Sequence, residues 1–351
     1  MPIAPTDASS LDSVLVVVPC LNEEEHIEKT LAHFMAVPAH TVCKIVVSDG
    51  GSTDNTVKII EQCALRDSRV VLVRNTRRIQ SSALNRAVEQ YGDLARFIIR
   101  VDAHANYPPG FCTTLLAAQR MTGADSVVVS MNAKGVTCFQ TAAAAAQNSR
   151  LGNGGSAHRR LAQGRFVDHG HHALMDVNAF RTVGGYDESF SHNEDAELDC
   201  RLIAAGFRIY LCAGADVTYY PRKNLFSLFN QYKNFGSGRA KTILKHRIRP
   251  KLRQLLPVMV GPAVVMSLLW PLAPFFAVPA VLWATISLTY GAVLGVRRKS
   301  RCACGAGIAA MLMHLGFSFG FFSQIVRPTA ISNPRSNRGA ERAVSKIGNG
   351  Q

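Results

Sequence analysis

Five short stretches bring together residues able to do chemistry. Asp102 and His104 stand two apart. At an extended strand end such residues point to the same side, so a carboxylate and an imidazole could reach one divalent cation, Mn2+ or, less naturally for a nitrogen ligand, Mg2+. The ordinary alternative is a loop aspartate beside a solvated histidine. Asp49-Gly50-Gly51-Ser52-Thr53-Asp54 offers carboxylates and hydroxyls on a loop whose glycines let the backbone come close to a ligand. Pro19-Cys20-Leu21-Asn22-Glu23 ends an apolar run. Glu194-Asp195 opens a helical stretch, where a carboxylate could accept a proton or simply meet the helix dipole. Asp168-His169-Gly170-His171-His172 has the composition of a zinc cluster or of histidines lining a substrate site. No GxGxxG and no GxxxxGK[ST] occurs, which disfavours a dinucleotide oxidoreductase and a P-loop ATPase.

These residues need elements to hold them, and the pattern supplies alternating strands and helices. Val14–Val18 reads as a strand buried on both faces. A helix over 22–36 follows, with Asn22 as its cap and Ile27, Leu31, Phe34 and Met35 at helical spacing. Strands over 44–48, 70–73, 97–101 and 126–130 alternate with helices from Asp54 (carrying Val57, Ile60 and Leu65), over 80–91 and, opened by proline, over 108–121. The implied architecture is α/β with a doubly wound, mostly parallel sheet, whose ligands bind beyond the carboxyl ends of the strands. The first, second and fourth strands end in the acidic motifs named above. Acids converging on one crevice repel one another unless a cation or hydrogen-bonding ligand joins them.

Charge and oil divide the chain unevenly. The 351 residues carry a net charge of +15, with 48% hydrophobic and 18% charged residues, which excludes a disordered chain. Up to Pro221 the net is −3; beyond it the net is +18, with Glu341 the sole acid. The same last third holds 43 uncharged residues over 254–296 and 25 more over 302–326. A membrane crossing takes roughly 20 apolar residues, so two to three spans fit, the first two joined near Trp270–Pro274. The basic excess then points to anionic lipid, not nucleic acid. Leu225, Leu228, Phe229, Tyr232 and Phe235 recur at helical spacing among basic residues, the pattern of a membrane-surface helix or of a soluble core helix. The first 13 residues lack a basic, apolar signal, so the N-terminal region should stay in the cytoplasm. The nine cysteines show no CxxC pair and read as reduced thiols.

Val-Pro-Cys-Leu-Asn-Glu, Ser-Asp-Gly-Gly-Ser-Thr-Asp-Asn-Thr and Val-Asp-Ala-His, followed by Gly184-Gly185-Tyr186-Asp187-Glu188 and Asn193-Glu194-Asp195, resemble the motifs of the family 2 glycosyltransferases. The likeness runs from about Val14 to Arg239. With Arg78–Ala87 and the apolar tail it is most similar to the exopolysaccharide branch of the succinoglycan type. It implies a GT-A nucleotide-sugar-binding fold followed by C-terminal membrane helices. It further implies that Pro19, Asn22, Glu23 and Asp49 line the uracil and ribose pocket of a UDP-sugar. Asp102 falls on the first position of the DxD metal motif, the third being His104, a departure. Asp195 takes the place of the catalytic base of an inverting transfer. Gln231–Arg239 occupies the position of the Q/RxxRW motif without its tryptophan, which implies one sugar per acceptor, not a polymer.

The expected organisation is a polar tail over 1–13, a catalytic domain over 14–221, a basic amphipathic segment over 222–253, membrane helices over 254–326 and a basic tail over 327–351. The implied partners are a UDP-sugar donor, UDP-glucose first, a polyprenyl-diphosphate-linked saccharide acceptor, the phospholipid surface of a bacterial inner membrane and other exopolysaccharide-assembly enzymes. The implied linkage is β, of the 1,3 type. Gly152–Ser156 with Arg159 and Arg160 reads as a lid over diphosphate or as a solvated loop. Two competing classes are a sugar nucleotidyltransferase, which would want a basic loop where Glu23-Glu24-Glu25 stands, and a non-catalytic subunit of a polysaccharide exporter.

Overall fold

Strand β1 (Val14–Cys20) is fully buried along Val14–Val18 because each face of the sheet has its own core. Val14, Val16 and Val18 pack against α1 (Ile27–Met35) and α4 (Phe111–Thr122); Leu15 and Val17 pack against α3 (Gln80–Tyr91) and α8 (Glu194–Ala204). The alternating set of a strand thus feeds two layers, each side chain contributing roughly 1.5–3 kcal/mol of burial. The computed structural model describes residues 12–154, 164–250 and 252–327. Most of the two tails, and Gly155, Ser156, Arg159 and Arg160 of the candidate lid, lie outside them.

β2 (Val42–Asp49), α2 (Thr56–Arg66), β3 (Val70–Arg74) and β4 (Phe97–Arg100) complete a parallel half with the order β3-β2-β1-β4. The order reverses between β1 and β4, so the crevice opens at their carboxyl ends, where Pro19–Glu23 and Asp102–His104 emerge. The sheet as a whole is mixed. β7 (His171–Asp176) runs antiparallel between β4 and β5 (Ser126–Ala133), β8 (Ile209–Tyr219) is parallel to β5, and β6 (Arg165–Val167) is antiparallel at the edge. The periodicity sees the parallel half; β7 and β6 lie beyond it, in a stretch dense with polar residues.

Several boundaries differ from the sequence reading for local reasons. Asn22 does not cap α1. It sits at φ 54° and spends its side-chain oxygen on the Thr53 amide at 2.8 Å, and the helix begins five residues later. Asp54 accepts from the Thr56 amide at 3.0 Å but precedes the helical cap, Asn55. Leu65 points outward, 90% exposed, since α2 buries Thr56, Ile60 and Cys63 instead.

The last third is helical: α9 (Leu225–His246), α10 (Leu252–Ser267), α11 (Val278–Arg297) and α12 (Ala306–Val326). Two stretches, Pro274–Arg297 and Cys302–Val326, are long and apolar enough to cross a membrane. α10, at 16 residues, measures about 24 Å and falls short of the roughly 30 Å hydrocarbon thickness. A three-span reading therefore gives way to two candidate helices. The apolar stripe of α9 does not lie free on a surface: Leu228 and Tyr232 pack with α12, and Phe229 meets Phe319. Glycines make that approach close, for a Cβ on Gly236 would fall 2.0 Å from the Phe317 carbonyl oxygen and one on Gly320 would fall 1.8 Å from that of Lys233. The cysteines are not all reduced thiols either. Cys138, which opens α5 (Cys138–Gln147), is bonded to Cys302, and the other seven are free. A separation of 164 residues hides that pairing from the sequence.

α8 is fastened to α9 by a buried ion cluster. The fully buried Glu197 meets Arg201 and Lys245, each at 2.6 Å, and His246 at 3.0 Å, while Lys245 also reaches Asp187 at 2.6 Å. Burial pushes the Glu197 carboxyl up, but His246, Arg201 and Lys245 outweigh it and hold it well below its ordinary 4.5. The stability from this group is therefore present above about pH 4.5 and is lost as pH falls through the lowered value. Glu197→Gln leaves Lys245 and Arg201 short of a counter-charge and should cost about 3–5 kcal/mol near neutrality. Thermal unfolding of both forms should show the gap narrowing in acid; a gap constant with pH would refute the assignment.

Candidate active site

A cavity of about 1070 Å³ opens at the carboxyl ends of β1 and β4 and runs on between α10, α11 and α12. Pockets for small ligands run to roughly 300–1,000 Å³, so this one is at the large end. Pro19, Glu23, Asp102, His104, Glu194 and Asp195 all line it. Asn22 and Asp49 do not; they shape its wall. The buried Asp49 accepts from the Gly51 amide at 2.9 Å and the Ser52 amide at 3.1 Å, while Asn22 ties the end of β1 to the same loop.

At the centre is Arg100, the last residue of β4 and only 7% exposed. A charge on a buried strand must be paired, and this one is paired three times. Its Nη1 binds Asp195 Oδ1, Nη2 meets Glu194 Oε1 at 3.3 Å, and Nε stands 3.8 Å from Asp102 Oδ1. Tyr186 adds its hydroxyl to Asp195 Oδ1 at 2.9 Å. Asp195 Oδ2 is left toward His171, whose Nδ1 is 3.7 Å away and whose Nε2 is 3.5 Å from Asp102 Oδ2. Burial raises the Asp195 carboxyl, but Arg100 and then His171 overcome it and drive it far down. Glu194, also buried, goes the other way under desolvation and the charge of Asp195. The two neighbours thus differ in proton affinity, the usual mark of divided acid and base roles.

The scaffold that aims Asp195 is local. Asn193 takes a left-handed φ of 65°, turning the chain into α8, and its side-chain amide donates to Thr242 of α9 at 2.9 Å. Gly185, at φ 67°, sits where a Cβ would come within 2.6 Å of Asn85 Oδ1. Asn85 accepts from the Tyr186 amide and donates to the Tyr186 carbonyl, both at 2.8 Å. The 184–188 motif is therefore a mount for Tyr186.

Asp102 and His104 both line the cavity, but residues 103 and 104 lie in a turn closed by the Ala105 amide on the Asp102 carbonyl at 3.1 Å, not on the extended strand end that the spacing suggests. His104 Nδ1 is 2.9 Å from Glu23 Oε1, a contact that raises the imidazole above its ordinary 6.5. Glu23 thereby orients the ring and leaves Nε2 as a free lone-pair donor when the ring is neutral, the carboxylate–histidine arrangement common behind metal ligands. Gln80 donates to Asp102 Oδ1 at 3.0 Å. For Asp102, burial raises the carboxyl and Arg100, His171 and His104 more than offset it, so it stays ionised. The pair suits a divalent cation whose remaining ligands come from a substrate, since no group of three metal-ligating side chains gathers among the described residues.

Of the other histidines, His171 lines the cavity but His172 does not. His172 is fully buried, 2.9 Å from Asp199, which also takes His169 at 2.6 Å. These histidines serve a buried carboxylate, not zinc. The sequence reading missed Arg100, Tyr186 and Gln80; for Arg100 the signal was present, an arginine closing the apolar run Phe97–Ile99.

The glycosyl transferase family 2 profile matches residues 15–184. The succinoglycan biosynthesis protein ExoA of Rhizobium meliloti is 47% identical over 92% of this chain and 97% of its own. A dolichyl N-acetyl-alpha-D-glucosaminyl phosphate 3-beta-D-2,3-diacetamido-2,3-dideoxy-beta-D-glucuronosyltransferase of Methanococcus voltae is 21% identical over 90% and 98%. Among solved structures, the mannosyltransferase PcManGT of Pyrobaculum calidifontis, in complex with GDP-Man and Mn2+, superposes with a TM-score of 0.53 at 19% identity, covering 87% of this chain and 86% of that one.

Proposed function

The chain belongs to glycosyl transferase family 2, and from that premise we propose that it moves one glucosyl residue from UDP-glucose, with inversion, to a polyprenyl-diphosphate-linked saccharide in succinoglycan-type exopolysaccharide assembly. The linkage is β, of the 1,3 type. One observation carries the reading: Asp195 and the Asp102–His104 pair line a single cavity whose far end is walled by apolar helices.

The uridine seats against Pro19 and Glu23, on the loop that Asn22 and Asp49 hold in place. Asp102 and His104 would hold a divalent cation, Mn2+ or Mg2+, which when bound neutralises charge on the diphosphate. The acceptor hydroxyl attacks the anomeric carbon, the bond from that carbon to the diphosphate oxygen breaks, and UDP leaves with the electron pair. The hydroxyl proton passes to Asp195 Oδ2, the oxygen not engaged by Arg100. A weakly basic carboxylate suffices, because the hydroxyl grows strongly acidic as its oxygen bonds to carbon. Arg100 and Tyr186 fix the carboxylate during the transfer.

The exposed side chains of α10, of α11 and of the segment joining them, among them Val265, Leu268, Trp270, Leu272, Phe275 and Val281, form an apolar face. That face rests in the membrane. α12 shares its length with the charged α9, so it lies along the catalytic body, which remains on the cytoplasmic side.

Membrane fractions given labelled UDP-sugars and a polyprenyl-diphosphate-linked monosaccharide test the reading. UDP-glucose should be the donor, and EDTA should cut transfer by about tenfold or more, restored by Mn2+ or Mg2+. Transfer from no UDP-sugar, or transfer indifferent to EDTA, would overturn the donor or the metal half respectively.

A further inference from the structure

The cavity does not end at Asp195. It continues past Arg239 of α9 and Arg253 at the start of α10, then between apolar side chains including Met259, Ala263, Leu282, Ile286, Met313 and Phe317. Both arginines are half-buried, and among the described residues neither guanidinium has a salt-bridge or hydrogen-bond partner. Asp199 and Asp168 attract Arg239 from farther off, but Asp199 is already held by His169 and His172. Arg239 loses hydration by burial and is repelled by Arg253, which lines the same cavity. That arrangement is stable when an anion bridges them.

Resting on the acceptor class proposed above, we infer that Arg239 and Arg253 form the seat of the acceptor's diphosphate, and that the groove between α10, α11 and α12 takes the first isoprene units of its lipid. Charge and shape agree on one ligand. A dianionic head fits the arginines, the attached saccharide points back toward Asp195 in the same cavity, and the hydrocarbon leaves along the helices whose outer sides are apolar. The groove is a built feature. Trp283 of α11 donates to His314 Nδ1 of α12 at 3.2 Å, and His314 Nε2 donates to the Leu151 carbonyl of α6 (Arg150–Asn153) at 2.9 Å. This chain fixes the walls relative to each other and to the catalytic body. Arg253 itself lies against Gly154, where that body ends its short helix.

The test is a pair of substrate titrations on the full-length enzyme in membranes. Arg239→Gln and Arg253→Gln should each raise KM for a polyprenyl-diphosphate-linked monosaccharide by about ten- to a hundredfold, the worth of a charge-assisted hydrogen bond. KM for UDP-glucose should stay within about twofold. Arg239→Lys, which keeps the charge but not the fork, should fall between. Geranylgeranyl diphosphate should compete with the acceptor in wild type and weaken in step with the acceptor in the variants. An acceptor KM that does not move, or both KM values rising together, would overturn the subsite while leaving transfer to a lipid acceptor standing. Wild-type transfer to a water-soluble saccharide as efficient as to the lipid-linked one would instead overturn the acceptor class, and this subsite with it.

Discussion

Asp195→Asn is expected to lower the turnover number by about 10²–10⁴-fold, the contribution of a positioned general base, with UDP still bound. Asparagine fits the same space and can still accept from the Tyr186 hydroxyl, and Arg100 retains Glu194 as a partner, so the fold should persist. What disappears is the one oxygen, Oδ2, that faces the cavity without a guanidinium on it. The loss should fall on kcat with little change in KM for the nucleotide sugar, because the base acts only as the new bond forms. Steady-state kinetics with calorimetric UDP binding separate the two quantities. Retention of more than about a tenth of the wild-type rate, well above what loss of a general base allows, would move the base elsewhere, and His171, in contact with both Asp195 and Asp102, is the group that would inherit the role.

The parts of this site that could be read in advance are those where chemistry sits at a strand end. Asp102 sits just past the end of β4, so the alternation that predicts the strand also places it at the crevice; His104 reaches the cavity through a turn that the spacing does not show. Pro19 near the end of β1 and Glu23 just past it were legible for the same reason. Asp195 was visible as a helix-opening acid but not as one half of a pair whose proton affinities diverge, since that divergence comes from Arg100, 95 residues away in sequence. Asn22 misled because asparagine suits both a helix cap and a left-handed turn, and only the distant Thr53 amide decides between them. The apolar stripe of α9 misled similarly. Helical spacing says that Leu228, Phe229 and Tyr232 share a face, and nothing in it says whether lipid or α12 covers that face. Small residues gave the hint: Gly236 on α9, and Gly316 and Gly320 on α12, are where two helices come close. The acceptor end was least legible, because Arg239 and Arg253 become a pair only when α9 turns at Arg247 and α10 folds back.

Arg100→Gln should move the acid limb of the kcat profile upward by about 1–3 pH units, the effect of removing an opposite charge from contact with a carboxylate. The sign follows from the surroundings. In the native site Arg100 holds Asp195 far below its ordinary 3.8, so the base stays ionised at any pH where the protein is folded. Without the guanidinium, burial remains and favours the protonated form, opposed by His171 and His172. The limb should therefore climb toward the ordinary carboxylate range near about 4, and the variant's rate should fall as pH drops below about 5, whereas the wild type shows no acid limb there. The substitution also removes the shared counter-charge of three carboxylates, costing about 3–5 kcal/mol of stability, so the profile is read only where circular dichroism reports folded protein. Arg100→Lys keeps the charge while losing the bidentate fork, and its limb should stay near the native one with a reduced plateau. A Gln variant whose profile is merely the native curve scaled down would mean that Arg100 is a structural pillar only and that the proton leaves by another group. A shifted limb in Gln with an unshifted one in Lys would show that the charge of this single buried residue sets the base at its working proton affinity.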